Sequence, residues 1–231
     1  MCFGCILPLQ KGLCLNVGGL SMEEAKEKRI RYYSSSQKII LVGEGDFSFA
    51  VCLARAFGSA ANIVATTLDS REVVLAQYSR AFENLKALEE LGCIIIHKVN
   101  AHTMSEHPLL RAKLFDRIVF NFPHAGFKFQ EHTPLQIERH QNLVRGFFKS
   151  ASGMLSKKGE VHVIHKRAYP FSAWNIVDLA MKFDLSLIKE EAFVLGMYPG
   201  YLNKRGEGYL CDSSFPVGLS STYMFASCWS I

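Results

Sequence analysis

The sequence lacks any apolar run long enough to cross a bilayer, so an integral membrane protein is not expected. The stretch 1–9 is apolar but short, and no basic segment precedes it, which is not the pattern of a secretion signal. The seven cysteines are odd in number, and Cys52 and Cys93 fall in elements that we expect to be buried. A disulfide framework is therefore not indicated, and we expect an intracellular protein in a reducing compartment.

The ligand spacing of a metal site is also missing. Cys2 and Cys5 have C-x-x-C spacing with Cys14 beyond them, but no nearby histidine completes a zinc site. The remaining histidines without such spacing are interpreted as packed or surface residues: His97, His102, His107, His132 and His140. We therefore expect no metal.

The length of 231 residues and a hydrophobic share of 49% allow one full core. We expect an appendage over residues 1–36, with a short helix from Ser21 to Arg31 and a linker at 34–36, followed by one domain over 37–231. The net charge of +5 is compatible with a nucleic-acid partner but does not require one.

The most informative stretch is Lys38–Phe49. Its apolar residues 39–42 predict a buried parallel strand, the glycine-containing residues 43–46 a turn, and Phe47–Phe57 a helix. This order is typical of the first unit of a nucleotide-binding α/β sheet. A dinucleotide fingerprint needs a third glycine where this chain has Ser48, so the loop favours S-adenosylmethionine over a pyrophosphate-containing cofactor.

The second predicted strand, 62–68, ends at Asp69 and Ser70. Asp69 lies 24 positions beyond Gly45, near the offset at which such folds place a carboxylate on ribose hydroxyls. The alternative is that Asp69 caps the helix predicted over 72–91.

Two further strands are predicted to deliver polar residues at their carboxyl ends. The buried strand 93–97 leads to Asn100 and Ala101, where an adenine would lie. Strand 114–120 leads to the Asn-Phe-Pro-His sequence of residues 121–124, which is where open α/β sheets place reaction chemistry. The proline limits the freedom of this turn. The alternative is a plain turn with a buried phenylalanine.

The rest of the chain continues the α/β alternation, with helices predicted over 135–155 and 171–183 and strands over 160–165, 185–194 and 221–225. Strand 160–165 presents His165 and Lys166 at its end. The loop 198–206 combines tyrosines with Lys and Arg, a composition that suits stacking and phosphate contacts with single-stranded nucleic acid. A solvated turn is the alternative.

Four motifs in this order resemble one family, the 25S ribosomal RNA uridine-N3 methyltransferases. They are Gly43–Phe49, Asn121–Gly126, His165–Lys166 and Tyr198–Gly206, and the resemblance runs from about Lys38 to Phe225. It implies a three-layer, Rossmann-like class I methyltransferase with a mostly parallel seven-stranded sheet and helices on both faces. It also implies S-adenosylmethionine as cofactor and transfer of a methyl group to N3 of a uridine in large-subunit ribosomal RNA. Such a substrate places the protein in the nucleolus or nucleus, with the cytoplasm as the alternative.

The resemblance also implies a role for individual residues. The cofactor would be held by Gly43, Glu44, Gly45, Asp46, Phe47, Ser48, Asp69, Ser70, Asn100 and Ala101. The acceptor chemistry would involve Asn121, Phe122, Pro123, His124 and Lys166. Because an imidazole titrates near working pH, we predict His124 as the general base. The RNA would be bound by His165, Tyr198, Tyr201, Asn203, Lys204 and Arg205.

Two other functions remain open on the sequence. A nicotinamide-dependent oxidoreductase would share the first loop and Asp69, but it would normally carry the glycine that is missing at Ser48. A degenerate methyltransferase fold kept as an RNA-binding or assembly module would use the same surface without catalysis. Asn100 mildly favours this module, because related chains mostly carry Asp there.

Overall fold

A computed structural model describes residue 1 and residues 26–228. The strands are β1 Arg29–Ile30, β2 Tyr33–Ser34, β3 Ile39–Val42, β4 Ile63–Thr66, β5 Ile94–Ile96, β6 Phe115–Asn121, β7 Leu155–Lys166, β8 Leu185–Ala192 and β9 Ser220–Ser227. The helices are α1 Ser48–Phe57, α2 Arg71–Gln77, α3 Ala81–Glu90, α4 Pro134–Ser152 and α5 Ile176–Met181. Short 3-10 turns cover Met104–Glu106, Phe171–Trp174 and Leu195–Met197.

Seven strands form one sheet in the order β5-β4-β3-β6-β7-β9-β8. The first five are parallel, and β9 inserts antiparallel between β7 and β8. Val42 pairs with Phe120, so the loops that follow β3 and β6 leave the sheet side by side. The predicted class I methyltransferase architecture is confirmed, and the carboxyl ends of the central strands meet at one edge.

The core has two halves, one on each face of the sheet. Alternate residues of β3 point to opposite faces: Ile40 and Val42 belong to the half covered by α4 and α5, and Ile39 and Leu41 to the half covered by α1 and α3. This alternation follows from the two-residue period of a strand. Because both faces are covered, every residue of β3 and β4 is buried, and all of them except Thr66 are apolar.

Two helix predictions are wrong in detail. The helix expected over 72–91 is divided into α2 and α3, because Tyr78 adopts an extended conformation and is buried. A Cβ at Gly45 would lie 3.3 Å from the Tyr78 hydroxyl, so the Tyr78 side chain packs against the loop of residues 43–46. The helix expected over 171–183 is a 3-10 turn followed by α5, separated by Asn175 in the left-handed conformation.

The strand predicted over 93–97, which is β5 in the structure, is also less buried than the sequence suggested. β5 is the edge of the sheet, and Ile94 keeps 42% of its surface exposed. A run of three isoleucines does not distinguish a central strand from an edge strand.

The expected helix ending at Arg31 is wrong over its described part, because β1 and β2 form a two-stranded antiparallel ribbon there. The ribbon belongs to the core, since Tyr33 is fully buried and its ring contacts those of Phe49 and His162 at centroid distances of 6.0 and 5.4 Å. Cys2, Cys5, Cys14 and the predicted start at Ser21 lie outside the described residues. No helix within 26–228 is long and apolar enough to cross a membrane.

Candidate active site

A cavity of about 480 Å³ opens at the carboxyl ends of β3, β4 and β6; we call it the first cavity. Most of the predicted site residues line it. They are Gly43, Glu44, Gly45, Asp46, Asp69, Asn100, Ala101, Asn121, Phe122, His124, Tyr201, Asn203, Lys204 and Arg205. The structure therefore brings together residues from five separate segments of the chain.

The loop after β3 needs glycine at its first position. Gly43 has φ of +69°, and a Cβ there would lie 2.6 Å from the ring of Phe120. Phe47 and Ser48 were predicted to hold the cofactor, but neither lines the first cavity. Both are buried and shape the loop instead: Ser48 N–H donates to Asp46 Oδ1 at 2.9 Å.

Three buried oxygens of residues that line the first cavity have no hydrogen-bond partner within the described part of the chain. They are Asp46 Oδ2, Asn121 Oδ1 and Gln77 Oε1. Lys204 Nζ lies 3.8 Å from Asp46 Oδ2, too far for a hydrogen bond. Buried acceptors without partners are costly, so the cavity fits a ligand that carries hydrogen-bond donors and positive charge. Gln77 was missed by the sequence reasoning because nothing in its local pattern marks the end of α2 as a site.

Burial disfavours the charged form of both carboxyl groups in this loop, Glu44 and Asp46. Burial raises the pKa of Glu44 to about 8, the nearby Asp46 adds to the increase, and the Ala50 N–H offsets part of it. Burial also raises the pKa of Asp46. A bound cation would relieve both effects.

The residues that follow β4 distinguish the two roles predicted for Asp69, which are contact with the ribose and capping of the next helix. Ser70, not Asp69, is the cap of α2, since its Oγ accepts from Val73 N–H at 3.4 Å. Asp69 lines the first cavity, whereas Ser70 does not. Asn100 and Ala101 line it as well, and Asn100 Oδ1 accepts from the His102 N–H at 2.9 Å.

A second cavity of about 210 Å³ adjoins the first. Its walls are Phe122, Pro123, His124, Phe127, Glu131, His165, Lys166, Phe171, Trp174, Lys204, Arg205 and Phe215. Five of these residues also line the first cavity: Phe122, His124, Lys204, Arg205 and Phe215. The two spaces therefore share a wall at the end of β6.

Phe122 occupies that shared wall with an unusual backbone. Its φ of +47° is rare for a residue with a side chain, and Pro123 follows directly. The ring is held edge-on against Phe193 and Phe215, at centroid distances of 5.5 and 5.2 Å. Such conformations persist where the surroundings impose them, and they concentrate at functional sites.

Lys166 brings a charge to the second cavity. Its ammonium lies 4.8 Å from the ring centroids of both Phe171 and Phe215. Among the described residues, no hydrogen bond or close ion pair satisfies it, and burial lowers its pKa. Two aromatic faces hold this cation without neutralising it.

His124 is not free to act as the predicted general base in this arrangement. Its Nδ1 accepts the Gly126 N–H at 3.1 Å, so Nε2 carries the proton and donates to Glu131 at 2.7 Å. His140 approaches the other oxygen of Glu131 at 3.2 Å. Burial opposes ionisation of Glu131, but the hydrogen bonds from both histidines outweigh it and hold its pKa at about 2. With both ring nitrogens engaged, His124 shapes the wall of the cavity.

The same three residues could be mistaken for metal ligands, because their ligand atoms lie within 4.8 Å of one another. The spacing of His124, Glu131 and His140 in the sequence gave no sign of this cluster. In His124, however, Nδ1 accepts the Gly126 N–H, which leaves the proton on the nitrogen that faces Glu131. His140 has both ring nitrogens engaged, Nδ1 with the Ala125 N–H and Nε2 with Glu131 and Gln136. A ligating histidine instead donates its other nitrogen's proton outward. The cluster is therefore a hydrogen-bonded clamp.

The predicted RNA-binding set is only partly available. Tyr198 is wrong as a base-stacking residue, because it is 3% exposed and its ring stacks on Phe193 at 5.6 Å. His165 is buried, its ring contacts Trp174 at 4.4 Å, and burial lowers its pKa to about 4. Asn203 is buried and donates to the Phe215 carbonyl.

The cations of the same loop have different surroundings. Lys204 is paired with Asp212 at 2.6 Å, whereas the Arg205 guanidinium lies 5.0 Å above the exposed ring of Phe127. Arg205 is thus the loop's cation at the outer surface.

Comparisons with known proteins agree with this geometry. The family model BMT5-like, described as rRNA (uridine-N3-)-methyltransferase BTM5-like, matches residues 40–205. An uncharacterized protein of Arabidopsis thaliana is 52% identical over 205 residues, with 87% of this chain and 98% of that protein covered. Heavy metal-associated isoprenylated plant protein 41 of Arabidopsis thaliana is 50% identical over 200 residues, and the match covers 87% of this chain but only 39% of that protein.

A more distant relative is the 25S rRNA (uridine(2634)-N(3))-methyltransferase of Saccharomyces cerevisiae, 23% identical over 239 residues, with 79% of this chain and 70% of that protein covered. Among solved structures, NSun6 from Pyrococcus horikoshii with SFG matches with a TM-score of 0.54 and 14% identity, over 84% of this chain and 48% of that one. A methyltransferase from Pyrococcus furiosus matches with a TM-score of 0.51 and 14% identity, over 82% and 74%. At these identities the structures show the fold.

Proposed function

Because this chain belongs to the BMT5-like family of rRNA (uridine-N3-)-methyltransferases, we propose that it transfers a methyl group from S-adenosylmethionine to N3 of a uridine in large-subunit ribosomal RNA. The observation that carries this proposal is the wall shared by the two cavities. A cofactor in the first cavity and a nucleobase in the second would meet at Phe122, beside Asn121 and Lys166.

The first cavity suits S-adenosylmethionine because its unpartnered groups are acceptor oxygens. Asp46 and Gln77 would take hydrogen bonds from the ammonium of the methionine part, Asp69 would hold the ribose, and Asn100 and Ala101 would lie by the adenine. When bound, S-adenosylmethionine supplies a methyl group on a positively charged sulfur. Buried carboxylates favour that charge.

The same donor set argues against a nicotinamide-dependent oxidoreductase. A dinucleotide carries a pyrophosphate, which needs N–H donors and cations at the glycine loop. Here Glu44 and Asp46 face the cavity from that loop, and the nearby Lys204 is paired with Asp212. A pyrophosphate would be repelled where an ammonium is attracted.

In the second cavity, this chain's residues would position the uracil ring and carry its charge. The side-chain amide of Asn121, next to Phe122 at the end of β6, would align the ring by donating its N–H to a carbonyl oxygen beside N3, which leaves N3 itself open to the methyl group. As the proton leaves N3 for solvent, negative charge spreads onto the flanking carbonyl oxygens, and the Lys166 ammonium would stabilise it. The stiff Phe122–Pro123 turn would fix the approach of the ring. His124 would act by holding this wall through Glu131.

A base within folded RNA would have to leave its stack to enter this cavity. The surface around the mouth suits that event, since the exposed Phe127 carries Arg205 above it and the exposed Tyr169 bonds the His132 carbonyl at 3.3 Å. Aromatic rings next to cations bind single-stranded nucleic acid. Residues 127 and 169 would therefore take the stacking role that the sequence assigned to Tyr198. A nucleolar or nuclear location would follow from this substrate.

The direct test is transfer of a tritiated methyl group to unmodified large-subunit ribosomal RNA, followed by nucleoside analysis. Label in N3-methyluridine is the expected result. Label in another nucleoside would contradict the proposed acceptor, and calorimetry showing tight NADH binding without S-adenosylmethionine binding would contradict the proposed cofactor.

Cofactor binding should depend on pH through Glu44. Its pKa of about 8 makes it neutral at pH 7, and a bound cation favours its charged form. Affinity for S-adenosylmethionine should therefore rise from about pH 6 to about pH 8, by up to about tenfold per pH unit, and then level off. Calorimetry in buffers of different ionisation enthalpy would measure the released proton.

Glu44→Gln is the matched control, since it keeps the shape of the side chain and has no proton to lose. The cofactor's own ammonium titrates with both proteins, so it cancels in the comparison. The raised pKa also means that the wild type loses stability as the pH rises toward 8, so E44Q should gain relative stability between pH 5 and pH 8. Identical pH profiles for the two proteins would contradict this coupling.

A further inference from the structure

Several polar groups of the second cavity already have partners. His124 and Glu131 belong to the clamp, His165 Nε2 lies 3.0 Å from the Phe171 carbonyl, and Lys204 is paired with Asp212. Three donors have no hydrogen-bond partner among residues 26–228. The Arg205 guanidinium lies over the Phe127 ring at the outer surface, the Lys166 ammonium lies between two rings, and the indole N–H belongs to Trp174, which is 1% exposed.

An unpartnered buried donor in a cavity wall calls for an explanation, because burying an N–H without a partner costs stability. The ring of Trp174 is also fixed. It stacks on His140 at a centroid distance of 4.0 Å with planes 16° apart, and it contacts His165 at 4.4 Å. Glu131 in turn holds His140 at 3.2 Å. The clamp of His124, Glu131 and His140 thus fixes the position of the indole ring through the stacked His140.

All three of these groups are donors, and Lys166 and Trp174 are the two on the inner wall. A ligand that satisfies them must present acceptors. Uracil presents two carbonyl oxygens on either side of N3. Cytosine replaces one of them with an amino group, which would set a donor against a donor. The chemistry of the cavity therefore separates the two pyrimidines.

We infer that Trp174 is a specificity-determining residue that donates its indole N–H to a carbonyl oxygen of the acceptor base and so favours uracil over cytosine. This inference rests on the proposed function, because it places the base in the second cavity. Lys166, which lines the same cavity, would donate to the other carbonyl oxygen. Sequence reasoning missed Trp174, which lies in the segment read as an ordinary helix.

The test uses fluorescein-labelled nonauridylate and nonacytidylate, with fluorescence anisotropy at fixed salt and without cofactor. The full-length wild type is expected to bind the uridine oligomer about tenfold more tightly. Trp174→Phe keeps an aromatic ring and removes the N–H. It should weaken binding of the uridine oligomer, reduce the ratio to about threefold or less, and leave affinity for the cytidine oligomer unchanged.

A second variant tests whether the effect of W174F comes from the lost N–H and not from misfolding. Trp229, which lies outside the described residues, is the other tryptophan in the sequence, so a W229F protein carries a single indole. Replacing that indole with benzothienylalanine keeps the bicyclic shape and its stacking on His140 but lacks the donor. It should reproduce the effect of W174F. Tyr209→Phe, which removes a hydroxyl from a fully exposed ring that lines neither cavity, should leave the ratio unchanged.

The outcomes separate this inference from the proposed function. An unchanged uridine preference in both Trp174 variants would overturn the inference, even if the wild type methylates uridine. A preference that depends on Trp174, in a protein that transfers no methyl group to ribosomal RNA, would support the inference and contradict the enzymatic activity. Equal binding of both oligomers by the wild type would overturn it directly.

Discussion

Replacing Asn121 with Ala is expected to lower the rate of methyl transfer about 100- to 1000-fold while leaving cofactor binding nearly unchanged. Asn121 is the last residue of β6, it lines the first cavity, and it directly precedes Phe122, which lines both cavities. Loss of its amide removes the group proposed to align the base. The ring would still enter the second cavity, but N3 would no longer be held in place.

Single-turnover transfer of tritiated methyl to unmodified large-subunit ribosomal RNA measures the rate, and calorimetry measures cofactor affinity. Asn142→Ala is the matched control, because Asn142 is an exposed residue of α4 that lines neither cavity. Turnover by N121A at the rate of N142A would show that the acceptor site lies elsewhere.

The second large effect is expected at Asp46. Asp46→Asn keeps the oxygen that accepts from Ser48 N–H but removes the negative charge from the first cavity. A charge-assisted hydrogen bond contributes about 1.5–3 kcal/mol, so affinity for S-adenosylmethionine should fall about 10- to 150-fold. Isothermal calorimetry of the cofactor-free protein measures this loss.

Asp212→Asn separates that effect from the ion pair with Lys204. Both acids lie close to Lys204 Nζ, at 3.8 Å for Asp46 and 2.6 Å for Asp212, but only Asp46 lines the first cavity. D212N should bind the cofactor almost as the wild type does. Equal losses in D46N and D212N would mean that the position of Lys204, and not the Asp46 charge, determines affinity.

The strands and their polar ends were predictable because they depend on local patterns. An apolar run followed by glycine, or by the sequence Asn-Phe-Pro-His, predicts both a buried strand and the residue at which that strand ends. Parallel pairing then brings every such end to one edge of the sheet. The cavity-lining positions of Gly43, Asp69 and Asn121 followed from these two facts.

The errors concern side chains whose role is set by three-dimensional contacts. Tyr198 is an exposed loop residue by composition, but it packs against Phe49 of α1 and against Phe193, which follows β8. His124 was assigned as a base from its residue type alone, and its hydrogen bonds to Gly126 and Glu131 remove its free lone pair. Contacts of this kind are absent from the local pattern.

The ribbon β1–β2 has a practical consequence for the design of recombinant fragments. A fragment starting at residue 37, where the sequence suggested the domain boundary, would omit Tyr33 and leave a gap between Phe49 and His162. It would also remove the Ser35 carbonyl that receives a hydrogen bond from Asn62 at 2.8 Å. An expression fragment should therefore retain the chain from residue 26 onward, so that a low yield from a shorter version is not taken as evidence against the enzyme.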